Sequence, residues 1–476
     1  MSTTPQPDTS PTHYEIIVIG GGISGLVTAN RAAELGKRTV VLEKGTADKY
    51  LCSSRYTGGT FHVCLTDLQV GPEKLAAAIE TTTRGFARKD VGGAVAKDSL
   101  RLVRWLQAEG IKFVNLGHYH SFVLAPPSRT GPGLDWEGRG GDVLLRTLEA
   151  NLKKRGCQIQ RGTRARALDI STPGMIKLDV EQGGVSGTKR TLTANAVVIA
   201  DGGFPANIEL VRQHITPVPE KILQRNALTA TGDGLQMAMA VGAATLGMDC
   251  FYGHLLSRDA MNNAKLWPRP YVDSLATSGI LVDANGRRFA DEGEGGVYLA
   301  NAVARLADPL SSSLVMDHAI WQGPGTSPLV PSNPHLPNAG GTLHRANTLA
   351  ELAALMGVPA QALQDTVAQY NQALESGTLQ QLSPVRRTDR HKPWPIKVAP
   401  FYAVPLCTGI TNTMGGLMVD QDGAVLDKNG AVIPGLYAAG GASGGLEGGP
   451  SIGYVGGLIK SVLGLRAAEK IANVIV

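Results

Sequence analysis

Residues 15 to 19 (EIIVI) form an apolar run that stops at Gly20, and the stretch that follows, ISGLVTANRAAELG, carries its apolar positions at helical spacing. After Gly36 a second apolar run, RTVVLE, completes the pattern of strand, helix and strand. Further on, GDVLLRTLEANLKKR (141–155) predicts a helix, and a strand-like stretch begins at Cys157. Residues 175–180 and 191–200 alternate or run apolar, as hairpin and core strands do. TGDGLQMAMAVGAA reads as a loop entering a helix at its Gly-Asp-Gly. Between about residue 248 and residue 398 the pattern breaks into short irregular pieces rich in Pro, His and Trp. The remainder returns to apolar strands and Gly-rich turns, ending in a helix predicted over 455–471. The fold expected is α/β: a Rossmann-like domain built from both ends of the chain (1–247 and 399–476), with an inserted α+β domain (248–398).

Composition sharpens this picture. A chain of 476 residues exceeds the size at which one core keeps growing, so two domains are the expectation. A hydrophobic content of 43% with 18% charged residues fits a globular enzyme. The 59 glycines, unmatched by aromatics at 5%, suit a backbone that must pass close to a large cofactor. The net charge of +5 is scattered: a mild affinity for anionic ligands follows, but no basic run marks a nucleic-acid or membrane surface. The five cysteines lie far apart without a C-x-x-C, so neither a metal site nor attached haem is signalled. The polar, Pro/Thr-rich first residues lack an apolar h-region and read as a frayed leader, with a cytoplasmic location expected. No apolar run reaches transmembrane length.

Gly20, Gly22 and Gly25 spell G-x-G-x-x-G between the first strand and the first helix. The first Gly permits the tight turn, the second lets the backbone approach a pyrophosphate, and the third lets helix and strand pack closely. The unpaired amides of the helix start, at Ile23 and Ser24, hold the diphosphate. Glu43 closes the second strand about 20 residues on, where a carboxylate accepts from ribose hydroxyls. The fingerprint by itself fits NAD and FAD equally.

Several segments, in order, separate the two: SSRYTGG (53–59), TANAVVIADGGF (193–204), TGDGLQMA (231–238), GILVDANGRRFADE (279–292) and TMGGLMVDQDGAVLDKNGAVIPGLYAAG (413–440). Together they resemble the fumarate reductase/succinate dehydrogenase flavoprotein superfamily. SSRYTGGTFHV and GDGLQMAMAVGAATLGMDCFYGH look most like tricarballylate dehydrogenase-type proteins. The resemblance implies FAD, and a capping role for the inserted domain. It places Ser53, Ser54, Thr57, Gly58 and Gly59 along the flavin, and Asp233 in a loop near the cofactor. Lys44, Ala165, Ala200, Gly202, Gly440, Ser451 and Ile452 complete the expected contacts. It also implies that a C-terminal helix beginning near 451–455 aims its positive end at the flavin, and that Arg288 and Glu292 pair, most simply to hold a domain interface.

Four departures limit the carry-over. The covalent-flavin histidine of the superfamily has no counterpart in Arg55-Tyr56-Thr57, so the FAD is expected to be non-covalent. The proton-donating Arg of fumarate reductases falls at about Leu275. Their substrate-clamping His and Arg fall at about Thr411 and Ser451. The Ala-Ala-Gly-Glu of the family reads Ala438-Ala439-Gly440-Gly441 here. Charge-assisted contacts are the strong ones for carboxylates, so fumarate reduction is not expected. The related 3-ketosteroid dehydrogenases also lack the dicarboxylate clamp, but their Tyr-Pro-Gly segment is replaced by Leu446-Glu447-Gly448-Gly449-Pro450, where only the Gly449 amide remains as an oxyanion donor. Desaturation needs a base at the α-carbon, and reduction an acid. Tyr454 and His254 lead the candidates, followed by Tyr402 and Arg269. The function expected is an FAD-dependent dehydrogenase or ene-reductase acting on CH–CH groups beside a carbonyl or carboxylate, with a small-molecule substrate and an unidentified electron donor or acceptor. The alternative is a flavoprotein whose FAD is structural and whose surface binds a partner.

Overall fold

The opening strand, His13–Ile19, runs parallel to Thr39–Glu43 on one side, with Ile16 opposite Thr39, and to Thr188–Ile199 on the other. Val432–Ala438 extends the sheet beyond Thr188–Ile199, and Gln158–Arg161 extends it beyond Thr39–Glu43, giving five parallel strands. This is the computed structural model of the chain, and it describes residues 12–129, 134–183, 187–326 and 331–475. The polar leader, residues 1–11, lies outside the described residues.

Parallel strands are covered on both faces, which is why they read as continuous apolar runs. All five residues of Thr39–Glu43 are buried, as are Ile16, Ile17 and Val18. Helix Ile23–Glu34 packs against Gly140–Lys154 and against the C-terminal helix Ser461–Val474. Asn30 Nδ2 donates to the Leu148 carbonyl (2.9 Å), and the hydroxyls of Ser24 and Ser461 meet at 3.0 Å. The hairpin Thr163–Thr172 and Met175–Gln182 joins the sheet through Thr188–Ile199.

A second, largely antiparallel sheet runs Phe251–Ser257, Phe401–Thr413, Ser313–Asp317, Ile280–Val282, with helices such as Gly296–Ala304 against it. Strand pairing carries this unit past the limit at residue 398 drawn from the sequence. Phe401–Thr413 is its central strand, and composition alone does not separate that apolar run from the strands of the first sheet. Among the described residues no helix is long and apolar enough to cross a membrane. Arg288 and Glu292 do pair, at 2.6 Å and buried, and Glu292 also accepts from the Leu281 amide (3.0 Å), so the pair fastens the second unit internally.

The C-terminal helix begins at Ser461, six residues later than expected. Glu447 Oε1 accepts from the amides of Val455 (2.9 Å) and Gly456 (2.7 Å), and Gly456 sits at φ +150°, so no helical turn can start there. The crossing of this helix with Ile23–Glu34 is close: a Cβ on Gly464 would stand 2.6 Å from Thr28 Oγ1 and 2.8 Å from the Ser24 carbonyl. Gly464→Val is therefore expected to cost about 1–3 kcal/mol, the usual penalty of overpacking. Chemical denaturation of the variant reads this directly; an unchanged midpoint would show that the helices separate freely.

Candidate active site

The carboxyl ends of four parallel strands open into one cavity of about 400 Å³. Gly20 follows the first strand, Lys44 the second, Ala200 the Thr188–Ile199 strand and Gly440 the Val432–Ala438 strand, and all four line it. Of the residues expected to contact the cofactor, Gly20, Gly22, Ile23, Ser24, Glu43, Lys44, Ser53, Ser54, Thr57, Gly58, Ala165, Ala200, Gly202, Asp233 and Gly440 reach this cavity. Gly25 and Gly59 act behind it. Gly25 lets the helix approach the Gly20 carbonyl, leaving no space for a Cβ, and Gly59 (φ +85°) packs on Leu124. Ser451 and Ile452 stand elsewhere: Ser451 Oγ donates to the Thr82 carbonyl (3.1 Å), and Ile452 packs with Cys250 and Met414. Because the helix starts late, Tyr454, Gly457, Leu458 and Lys460 line the cavity in their place.

The dinucleotide end is strongly polar. Glu43 is buried and accepts from the amides of Gly21 (2.9 Å) and Gly45 (2.7 Å), which pins the fingerprint loop; burial nonetheless raises its pKa. Ser54 Oγ accepts from the Ile23 amide (3.0 Å), so the SSRYTGG segment caps the first helix. Burial would raise the Asp233 pKa, but the paired guanidinium of Arg164 (2.7 and 2.9 Å) and the Lys44 ammonium (3.1 Å) bring it down. Asp201 accepts from Gly234 N through Oδ2 (2.8 Å), whereas its buried Oδ1 has no partner, and burial pushes its pKa up to about 6.

At the other end the cavity is aromatic. Phe251–Ser257 places Tyr252 and His254 in it, two residues apart on one strand face. Tyr252 Oη lies 3.0 Å from His254 Nε2, and His254 Nδ1 lies 2.6 Å from Asp273 Oδ2. Asp273 accepts, so Nδ1 carries the proton and Nε2 is left to accept from the phenol. Asp273 is fixed in turn by the Leu255 amide (2.9 Å to Oδ1). The rings of Tyr252 and Tyr454 stack at 4.0 Å, and those of His254 and Tyr271 at 4.3 Å. Burial lowers the His254 pKa, against the pull of Asp273, and raises both tyrosines. Tyr454 Oη accepts from the Gly457 amide (2.9 Å).

The candidate residues thus divide. Tyr454, His254 and Arg269 meet in the cavity, Arg269 at an exposed edge where it donates to the Arg129 carbonyl (3.2 Å). Tyr402 does not. Its ring is buried on Trp321 and its hydroxyl meets His318 Nδ1 at 3.2 Å, which makes it a core residue of the second sheet. Gly449 also lies outside, folded against Phe86. Leu275 is buried in the core. Sequence reasoning missed Tyr252, Asp273 and Arg225. The period of two in FYGHLLS was the available signal for Tyr252, while nothing local marks Asp273.

A strand-end cleft continuous with an aromatic chamber beside a Tyr-His-Asp chain is where an open α/β fold holds a dinucleotide next to reacting groups. The chain belongs to the FAD binding domain family, whose model matches residues 15–452. It is 25% identical over 462 residues to a vinyl phenol reductase of Lactiplantibacillus plantarum, covering 91% of each chain. It is 26% identical over 512 residues to an NADH:acrylate oxidoreductase of Vibrio harveyi, matching 92% of this chain but spanning only about half (48%) of that protein's length. In fold it resembles the crystal structure of a 3-ketosteroid delta1-dehydrogenase from Sterolibacterium denitrificans (TM-score 0.73, 21% identity, 98% of this chain and 100% of that one).

The cavity fits FAD on its own terms. The turn at Gly20, Gly22 and Ser24, the hydroxyls of Ser53, Ser54 and Thr57, and the glycines Gly202 and Gly440 line one continuous space that suits the polar backbone contacts of a dinucleotide. A carboxyl whose folded pKa is raised lends stability that is full below the unfolded value and lost as the pH rises through the folded one. Cofactor-free Asp201→Asn protein is therefore expected to gain on the wild type between about pH 4 and pH 7, by roughly 3 kcal/mol at the top of that range. Denaturation midpoints across the range test it; a constant difference would mean that Asp201 is solvated and titrates normally.

Proposed function

We propose that the protein is an FAD-dependent oxidoreductase that desaturates, or in reverse reduces, the bond between the α and β carbons of a carbonyl- or carboxylate-activated small molecule. The observation that carries this reading is the continuity of the cavity from the fingerprint loop to the Tyr252–His254–Asp273 chain. The vinyl phenol and acrylate reductases among its relatives agree in reaction type. When bound, FAD supplies the hydride acceptor or donor at its N5.

Residues of both ends of the chain hold the cofactor without a covalent link in this reading. The turn at Gly22 and Ser24 faces the diphosphate, with the Ile23 amide capped by Ser54, and Glu43 with Lys44 faces the adenosine end. Ser53, Ser54, Thr57 and Gly58 run along the remainder. Arg55, at the place of the superfamily's linking histidine, is instead buried in an ion pair with Asp142.

Tyr252 moves the proton. With His254 neutral, the phenol donates to Nε2, so its oxygen can take the acidic α-proton while its own proton passes to the imidazole. Asp273 steadies the imidazolium that results, as an orienting carboxylate does in other relays. With His254 protonated, the chain runs in reverse and delivers a proton to the α-carbon. Burial, which keeps the imidazole neutral below its ordinary pKa, favours the proton-taking state at neutral pH. The stacked Tyr454 closes the chamber and keeps water from the relay.

Tyr252→Phe is expected to lower the rate of the α-proton step by about 10²–10⁴-fold while leaving the flavin spectrum unchanged. Tyr402→Phe should leave that rate intact. In the wild type, desaturation should fall away only when the pH drops below the ordinary histidine range. Anaerobic stopped-flow reduction of the flavin by cyclic ketones and saturated carboxylates measures all three. An unchanged rate in Tyr252→Phe removes the phenol from the reaction.

A further inference from the structure

Arg225 leaves the short edge pairing of Leu223–Gln224 with Gly409 and Ile410, its amide donating to the Ile410 carbonyl (2.7 Å). Gly409 makes room for the stem, since a Cβ there would stand 3.2 Å from Arg225 Cδ. One residue further, the pairing of Phe401–Thr413 with Phe251–Ser257 slips: Asn412 faces Tyr252 but Ile410 faces Gly253, and Thr411 is left over as a bulge. A bulge re-aims a side chain, and the hydroxyl of Thr411 accepts from Arg225 Nη1 (2.9 Å). Arg225 Nε donates to the Pro268 carbonyl (3.2 Å). The guanidinium is thus fixed in direction while it lines the cavity.

Both of those acceptors are neutral. Among the described residues no carboxylate pairs with Arg225 within 4.0 Å. Burial lowers its pKa, and Tyr252, Tyr271 and Asp273 offset this only in part. Arginine does not shed its proton under these conditions, so a half-buried cation without a carboxylate partner faces the cavity until an anion arrives.

Most other basic groups of the chamber are committed. Lys460 is paired with Glu447 at 2.6 Å, and His254 with Asp273. His62 is held neutral, burial lowering its pKa to about 4. Arg269 lies at the exposed edge. Around Arg225 the walls are aromatic: Tyr271 faces the guanidinium at 6.0 Å, and the rings of Tyr56 and Trp267 meet edge-on at 6.4 Å.

On the α,β-chemistry assigned above to this cavity, we propose that Arg225 binds the single negative charge of the substrate, which is a planar, ring-bearing monocarboxylate. A dicarboxylate finds only Arg269, at the edge of the cavity, for its second charge. A neutral ring forgoes the charge-assisted contact that Arg225 offers.

The test is calorimetric titration of oxidised holoenzyme, without turnover, with three probes: trans-cinnamate (ring and one charge), cinnamamide (ring, no charge) and fumarate (two charges, no ring). Cinnamate is expected to bind at least tenfold more tightly than either of the others. Arg225→Gln should weaken cinnamate tenfold or more and leave cinnamamide within threefold, and Arg225→Lys should recover part of the loss. Equal binding of cinnamate and cinnamamide by the wild type, tightest binding of fumarate, or a preference that survives Arg225→Gln overturns the assignment. So does a preference lost through Arg269→Gln instead. If Arg225→Gln fails to retain flavin, the wild-type preference and the Arg225→Lys affinity decide. Because no step of catalysis is read, failure here is distinct from failure of the Tyr252 relay, which appears only in the rate of flavin reduction.

Discussion

The parallel pairing of Thr188–Ile199 with both His13–Ile19 and Val432–Ala438 is the constraint on which the rest depends. Ile199 stands opposite Ile19 on one side and Ala438 on the other. That register brings the first turn of the chain, a turn from its middle and a glycine turn from its last segment to one edge of the sheet. Parallel strands end their carboxyl groups on the same side, so the turns following them converge there by geometry. Slip the register by one residue and side chains fitted to one covering layer are moved to the other; the cavity would lose three of its walls together.

The two ends of that cavity obey different physics. The dinucleotide end is dense in backbone amides and charges that satisfy one another, as Glu43 does with Gly21 and Gly45 and Asp233 with Lys44 and Arg164. There the protein presents fixed dipoles to a cofactor carrying many polar atoms. The far end is walled by rings, and its few polar groups are either chained together, as in Tyr252–His254–Asp273, or left waiting, as at Arg225. In such a low-dielectric space each polar contact counts for more than it does in water. A small number of groups therefore suffices to set chemistry and selectivity.

Residue by residue, the reach of the sequence follows the range of the interaction. Gly20, Gly22 and Gly25 are legible because a turn, a close approach and a tight helix crossing are local demands on the backbone. Glu43 is legible because its distance along the chain from the turn is set by one strand–helix–strand unit. His254 lies in a stretch that the resemblance covers and Tyr454 was chosen as a phenol beside the expected last helix, and both line the cavity. Tyr402 misled because a tyrosine in an apolar strand reads alike whether it faces a ligand or a core. Ser451 and Ile452 misled because the start of the last helix depends on Glu447, whose carboxylate captures the amides that would otherwise begin it.

By itself, then, the sequence determined the class of fold and the dinucleotide turn, which rest on periodicity and on glycines at fixed spacing, while the kind of cofactor followed from the ordered resemblance of several segments to a known superfamily. The tertiary structure alone decided which side chains face one another across the chamber. Tyr252 with Asp273, and Arg225 with Thr411, come together through strand pairing, a bulge and a loop between elements far apart in the chain. Such contacts leave no period and no spacing to read, because they are set by which distant strands pair within the second sheet and not by any local preference of the backbone.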